Sequence, residues 1–214
     1  MAASIGAVRR APRPRWCACL PSALLALSLA STAAAAGPFH ARAFGGDVDL
    51  DRAPEGAEIT SFGGNVHIRS AGERVHAIAF GGNVRLDALD GSARVTTFGG
   101  DVHVAVTGPR ARGRELALKS FGGNVWLTLP ADFSAAIDVE LECQRHGDEA
   151  CRIASDVPLT EEYGPWHRSL FVFGPSRRTL HAWTKLGDGA NRVRIHVHGG
   201  TVNLVREGVV HGTR

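Results

Sequence analysis

The chain is short of three things: helical periodicity, surplus charge and cysteine. No segment after residue 36 repeats its apolar residues at helical spacing, which argues against a helical or alternating α/β organisation. The 24 basic and 21 acidic residues give a net charge of +3, yet Arg9, Arg10, Arg13 and Arg15 lie in the first 36 residues, where no acidic residue occurs. The remainder holds 20 basic against 21 acidic residues, a net charge of −1. Nucleic acid is therefore not an expected partner. Hydrophobic content of 44% and charged content of 21% are those of a globular chain, so wholesale disorder is excluded as well.

The first 36 residues have the anatomy of a cleaved secretory signal peptide: a basic start, an apolar stretch from Leu20 to Ala30, and Ala34-Ala35-Ala36 before Gly37. The apolar stretch is too short for a spanning helix, and no transmembrane span is expected once it is removed. Export to the periplasm or cell surface is the expectation. Cys17 and Cys19 leave with the leader, and Cys143 and Cys151 remain, with seven residues between them. In an oxidising compartment such a pair reads as a disulfide closing a short loop. His146 between them leaves a Cys-His-Cys metal site as the less favoured alternative.

What the sequence has in excess is glycine, 26 of 214 residues, and most of its order comes from a repeat. Phe44-Gly45-Gly46-Asp47-Val48 recurs as Phe62-Gly63-Gly64-Asn65-Val66, Phe80-Gly81-Gly82-Asn83-Val84, Phe98-Gly99-Gly100-Asp101-Val102 and Phe121-Gly122-Gly123-Asn124-Val125, at offsets of 18, 18, 18 and 23. A fixed period of this size marks stacked units. The longer last interval falls at Thr107 to Arg114, which reads as a bulging loop. After each Gly-Gly-Asx the apolar residues alternate (Val48 and Leu50, Val66 and Ile68, Val84 and Leu86, Val102 and Val104, Val125 and Leu127), the pattern of a strand buried on one face. A turn and a second short strand follow, as at Pro54-Glu55-Gly56 and Ala57-Glu58-Ile59. The fold class expected is all-β, a parallel β-solenoid of about 18-residue rungs over residues 43–129, within a single domain spanning 37–214.

Stacked rungs place equivalent residues about 4.8 Å apart. The Asp47, Asn65, Asn83, Asp101, Asn124 column is then expected to form a hydrogen-bonded ladder. Gly-Gly corners are expected to supply positive φ and close backbone approach, not a phosphate cradle, since all five run into strands. Strand alternation counts Phe44, Phe62, Phe80, Phe98 and Phe121 outward. A bulge at the corner would turn them in, and a buried aromatic stack is the favoured expectation. The alternative is an exposed ridge able to bind sugar or protein.

The period fades after Leu129. Residues 143–191 read as an irregular Cys-containing insertion with two or three strands of its own, and 192–205, carrying His198-Gly199-Gly200-Thr201-Val202, as a degenerate rung that caps the stack. Asp49, Asp51, His67, Arg69, Arg85 and Asp87 could line a polar groove, which salt-bridged solvent-facing ladders explain without catalysis. His67 and His103 share a column two rungs apart, about 9.6 Å, too far for one ion. His196 and His198, about 6.8 Å apart at the backbone on one strand face, read as solvated. No cofactor or metal is expected.

The iterated Gly-Gly-Asx-Val-x-Leu units, Val125-x-Leu127-x-Leu129-Pro130-Ala131-Asp132 followed by an alternating strand, and Gly187-Asp188-Gly189 before Val193-x-Ile195-x-Val197-x-Gly199-Gly200 resemble the toast-rack domains, exported bacterial adhesin-like domains of unknown function. The resemblance covers roughly residues 43–205, apart from the Cys-containing insertion. It implies a β-solenoid-like fold at the cell envelope and no catalytic residues. The resulting expectation is a non-enzymatic envelope protein that binds an envelope protein or a glycan, the alternative being a polysaccharide-active β-helix enzyme.

Overall fold

The computed structural model describes residues 37–108, 112–144, 151–166 and 176–207. The leader at 1–36, His146, and parts of the 107–114 loop and of the 143–191 insertion lie outside the described residues. Within them there is no helix. The strands are β1 (Phe39–Ala43), β2 (Val48–Ala53), β3 (Ala57–Ser61), β4 (Val66–Ala71), β5 (Arg74–Ala79), β6 (Val84–Leu89), β7 (Ser92–Thr97) and β8 (Val102–Val106). They continue as β9 (Glu115–Ser120), β10 (Val125–Leu129), β11 (Ala135–Gln144), β12 (Cys151–Ser155), β13 (Thr160–Tyr163), β14 (Arg177–Leu186), β15 (Asn191–His198) and β16 (Gly200–Arg206).

Successive strands of the repeat alternate between two sheets. One has the order β1-β3-β5-β7-β9-β15-β11-β14-β13 and the other β12-β16-β10-β8-β6-β4-β2. Pairing through the repeats is parallel and in register, Val48 on Val66, Val66 on Val84 and Val84 on Val102. The 18-residue sequence period is thus the spatial step from one strand to the next in the same sheet. Alternation decides which side chains meet. Val66, Val84, Val102, Val125 and Val202 form one buried column, Ile68, Leu86, Val104, Leu127 and Leu204 another, and these join the buried residues of the other sheet in a single apolar cluster. Truncating one such isoleucine or leucine to alanine costs about 2 to 5 kcal/mol in comparable cores.

The corners between sheets explain the glycine excess, with one correction. Positive φ occurs at Gly46 alone among the ten corner glycines. What the corner demands is the second glycine of each pair. A Cβ on Gly64, Gly82, Gly100 or Gly123 would collide with the carbonyl of the preceding rung's second glycine, whereas Gly45, Gly63 and Gly99 face open space and Gly81 and Gly122 meet only ordinary contacts. Buried hydroxyls brace the same corners. Ser61 Oγ donates to the Gly64 carbonyl at 2.8 Å, Ser120 Oγ to that of Gly123 at 3.1 Å, and Thr97 Oγ1 accepts from the Gly100 amide at 3.1 Å.

The Asx ladder forms as the column alignment requires. Asp47 Oδ1 accepts from the Asn65 amide, Asn65 Oδ1 from that of Asn83, Asn83 Oδ1 from that of Asp101, and Asp101 Oδ1 from that of Asn124, at 2.7 to 3.0 Å. Asn124 Oδ1 then accepts from the amide and hydroxyl of Thr201. That last link exposes a second correction. Residues 192–205 do not cap the stack. β15 pairs with β9 on one side and β11 on the other, and β16 lies between β10 and β12. The chain therefore lays down β11 and β12 before the strands that separate them from the repeats. Asn191 ties this junction, its Oδ1 accepting from the Arg114 amide at 2.9 Å and its Nδ2 donating to the Ser134 carbonyl at 2.8 Å. The loop before β9 ends equally fixed: Arg114 is buried, paired with Asp90 and bonded to the Thr107 carbonyl.

Candidate functional site

The most regular surface feature is the phenylalanine column, and it lies outside the core. Ser61, Ala79, Thr97 and Ser120 take the inward position before Phe62, Phe80, Phe98 and Phe121, so alternation passes into these corners unbroken and the ring points out. The favoured expectation of a buried stack is thereby overturned. No bulge intervenes, because those small residues already fill the inner corner and three of them bond to its glycines. Phe44 is 82% exposed and the other four rings 37 to 47%.

In-register pairing forces these rings over one another. Neighbouring centroids lie 5.1, 4.9, 4.9 and 4.9 Å apart with planes within 4° of parallel, and His198 extends the stack at 4.7 Å from Phe121. Lys119 Nζ sits 4.7 Å from the Phe121 centroid. Ring faces between Phe62 and Phe121 are covered by their neighbours, and what reaches solvent is a strip of ring edges. Sugar recognition by stacking uses an open face, so this strip suits an apolar protein surface better than a pyranose.

The polar groove on the seven-stranded sheet resolves into ion pairs. His67 lies between Asp87 (Nε2 to Oδ2, 2.6 Å) and Asp49 (Nδ1 to Oδ1, 3.4 Å), Arg85 Nε is 2.6 Å from Asp87 Oδ1, and Arg69 pairs with Asp51. The hydrogen bond from His67, helped by Arg85, holds the Asp87 carboxyl below its ordinary value although partial desolvation pushes the other way. His67 and His103 remain two strands apart, with Arg85 of β6 between them. His103 instead stacks on Trp126 at 4.2 Å, where burial lowers its pKa.

A third constellation sits where the aromatic strip ends. Alternation along β15 puts His196 and His198 on its outer face, and the register with β11 sets Glu140 beside His196 and Glu142 beside His198. His198 Nδ1 is 2.8 Å from Glu142 Oε2, His196 Nδ1 3.3 Å from Glu140 Oε2, and His196 Nε2 4.0 Å from Glu142 Oε1. Ligand atoms of Glu142, His196 and His198 all lie within 4.8 Å of one another, a geometry that could hold a metal ion. Burial lowers the His196 pKa, opposed by Glu140. A shallow pocket of about 290 Å³ lined by Phe121, Glu142, Arg177, His198 and Gly199 opens beside the cluster. The sequence shows the His-x-His pair but not Glu142, which lies on a strand whose place beside β15 depends on the internal position of 191–206. Comparison with protein-family models, curated proteins and solved structures finds no match in any of the three.

Proposed function

We propose that this chain is an exported, non-enzymatic module of the cell envelope, folded as a β-solenoid of about 18-residue rungs, that holds a partner protein along its phenylalanine ridge. The observation carrying this reading is the exposed, unbroken strip from Phe44 to Phe121, an apolar feature with no role in the core. The leader pattern of residues 1–36 and the toast-rack resemblance support export to the periplasm or cell surface. Parallel pairing of the repeat strands at the repeat interval in both sheets supports the solenoid. Commitment of Asp49, Asp51 and Asp87 to ion pairs favours binding over polysaccharide chemistry, which uses carboxylates available to the substrate. Among the described residues no helix is long and apolar enough to cross a membrane.

A disulfide between Cys143 and Cys151 belongs to the same reading. Cys143 is buried and follows Glu142, the backbone partner of His198, while Cys151 is the backbone partner of Gly200 in the other sheet, and this nearness of the two strands along the chain of β15 and β16 supports the bridge. Non-reducing peptide mass spectrometry is expected to find 143 and 151 linked; free thiols at both in exported protein would refute the bridge.

The ridge is tested by pull-down from envelope extract beside a glycan array. One protein captured by the parent and lost with Phe80→Ser plus Phe98→Ser, at unchanged far-UV circular dichroism, is the expected result. Identical capture by parent and variant would remove the ridge from the function, and degradation of a polysaccharide by purified chain would replace the reading with the enzymatic one.

A further inference from the structure

We propose that Glu142, His196 and His198 form a binding site for one borderline divalent cation of the zinc type, independent of the partner-binding role of the ridge. Backbone spacing alone leaves alternate strand positions about 6.8 Å apart, but the two imidazole centroids converge to 4.4 Å and tilt by 35°. Glu142 reaches in from the adjacent strand. Zinc takes nitrogen and carboxylate ligands at about 2.0 to 2.2 Å, which sets ligand atoms roughly 3.3 Å apart in a tetrahedron. Ligand atoms no more than 4.8 Å apart reach that spacing by side-chain rotation, with the backbone in place.

Two details favour a metal over a simple ion-pair cluster. His196 Nε2 is buried and has no hydrogen-bond partner, while Nδ1 of the same ring faces Glu140 at 3.3 Å. A proton on Nδ1 directed at Glu140 leaves the Nε2 lone pair aimed into the cluster, the carboxylate–histidine–metal arrangement of established sites. His198 is held by its stack on Phe121, and a metal would replace its present ion-pair contact with Glu142. Two imidazoles and one carboxylate suit zinc better than calcium or magnesium, which take oxygen. The adjacent pocket leaves a coordination position open to water or a partner group. Arg177, its Nη1 3.7 Å from Glu142 Oε2, and Lys119, beside His196 on β9, oppose the ion and limit its affinity.

The test is zinc titration of the full chain carrying Cys17→Ser and Cys19→Ser, against a chromophoric zinc indicator, with cobalt as a spectroscopic stand-in. We expect one equivalent bound, at least tenfold weaker binding in His196→Gln, His198→Gln and Glu142→Gln, and the visible absorption of four-coordinate cobalt in the parent only. His76→Gln, on the same sheet face, should change nothing, and Arg177→Gln should tighten binding several-fold. Because Arg177 is exposed, that variant keeps the proposal testable if a histidine variant misfolds. Zinc bound equally by parent and all three ligand variants, or no tightening in Arg177→Gln, would overturn the site.

Discussion

Gly100→Ala is expected to destabilise the protein by about 3 kcal/mol, while Gly99→Ala, one residue earlier, is neutral or stabilising by about 0.5 kcal/mol. An added Cβ on Gly100 would overlap the carbonyl oxygen of Gly82, lying 2.5 Å from its carbon and 2.9 Å from the Asn83 nitrogen. All three are backbone atoms of the rung below, so no rotamer relieves the clash. Pushing the repeats apart at this corner would lengthen the hydrogen bond from the Asp101 amide to Asn83 Oδ1 and that from Thr97 Oγ1 to the Gly82 carbonyl as well. Gly99 has nothing within 4 Å of its Cβ position and no positive φ, so alanine there mainly reduces the entropy of the unfolded chain. Denaturant midpoints at unchanged m-value measure both. Against a total stability of about 5 to 15 kcal/mol the first change is large, and equal effects at the two positions would show that close approach is not why the second glycine is there.

The same pair shows how far the repeat could be read. An 18-residue period with strict alternation specifies the two-sheet pairing, the apolar columns and the Asx ladder, because each follows from stacking like on like. It does not distinguish the two glycines of a corner, since that depends on which Cβ vector points at the neighbouring rung. Nor does it orient the phenylalanines. Their direction turns on whether the chain bulges, and the answer lies in Ser61, Ala79, Thr97 and Ser120, whose small inward side chains make the bulge unnecessary. The cluster at Glu142 was illegible for a topological reason: sequence order suggests that the last rung stacks last, and β15 stacks between β9 and β11.

That topology makes ending the chain after Gly189 the second large perturbation. A terminal cap would be lost at the cost of one interface. Here β15 and β16 carry Val193, Ile195, Val197, Val202 and Leu204, all at most 2% exposed, between the repeats and β11–β14. At about 1.5 to 3 kcal/mol for each fully buried side chain, roughly 10 kcal/mol of apolar burial is removed, comparable to the whole stability of a domain. The loss is not evenly spread. β2 to β8 keep their neighbours on both sheets, while β11 loses its parallel partner and β12 its only one. Closing the gap would require β11 to move onto β9 without Asn191, which bonds both the Arg114 amide and the Ser134 carbonyl. Amide hydrogen exchange of the shortened chain is therefore expected to show residues 135–144 and 177–186 unprotected, with 66–106 still protected. Retained protection at 135–144 would mean that β11 can stack directly on β9 and that the internal rung is dispensable.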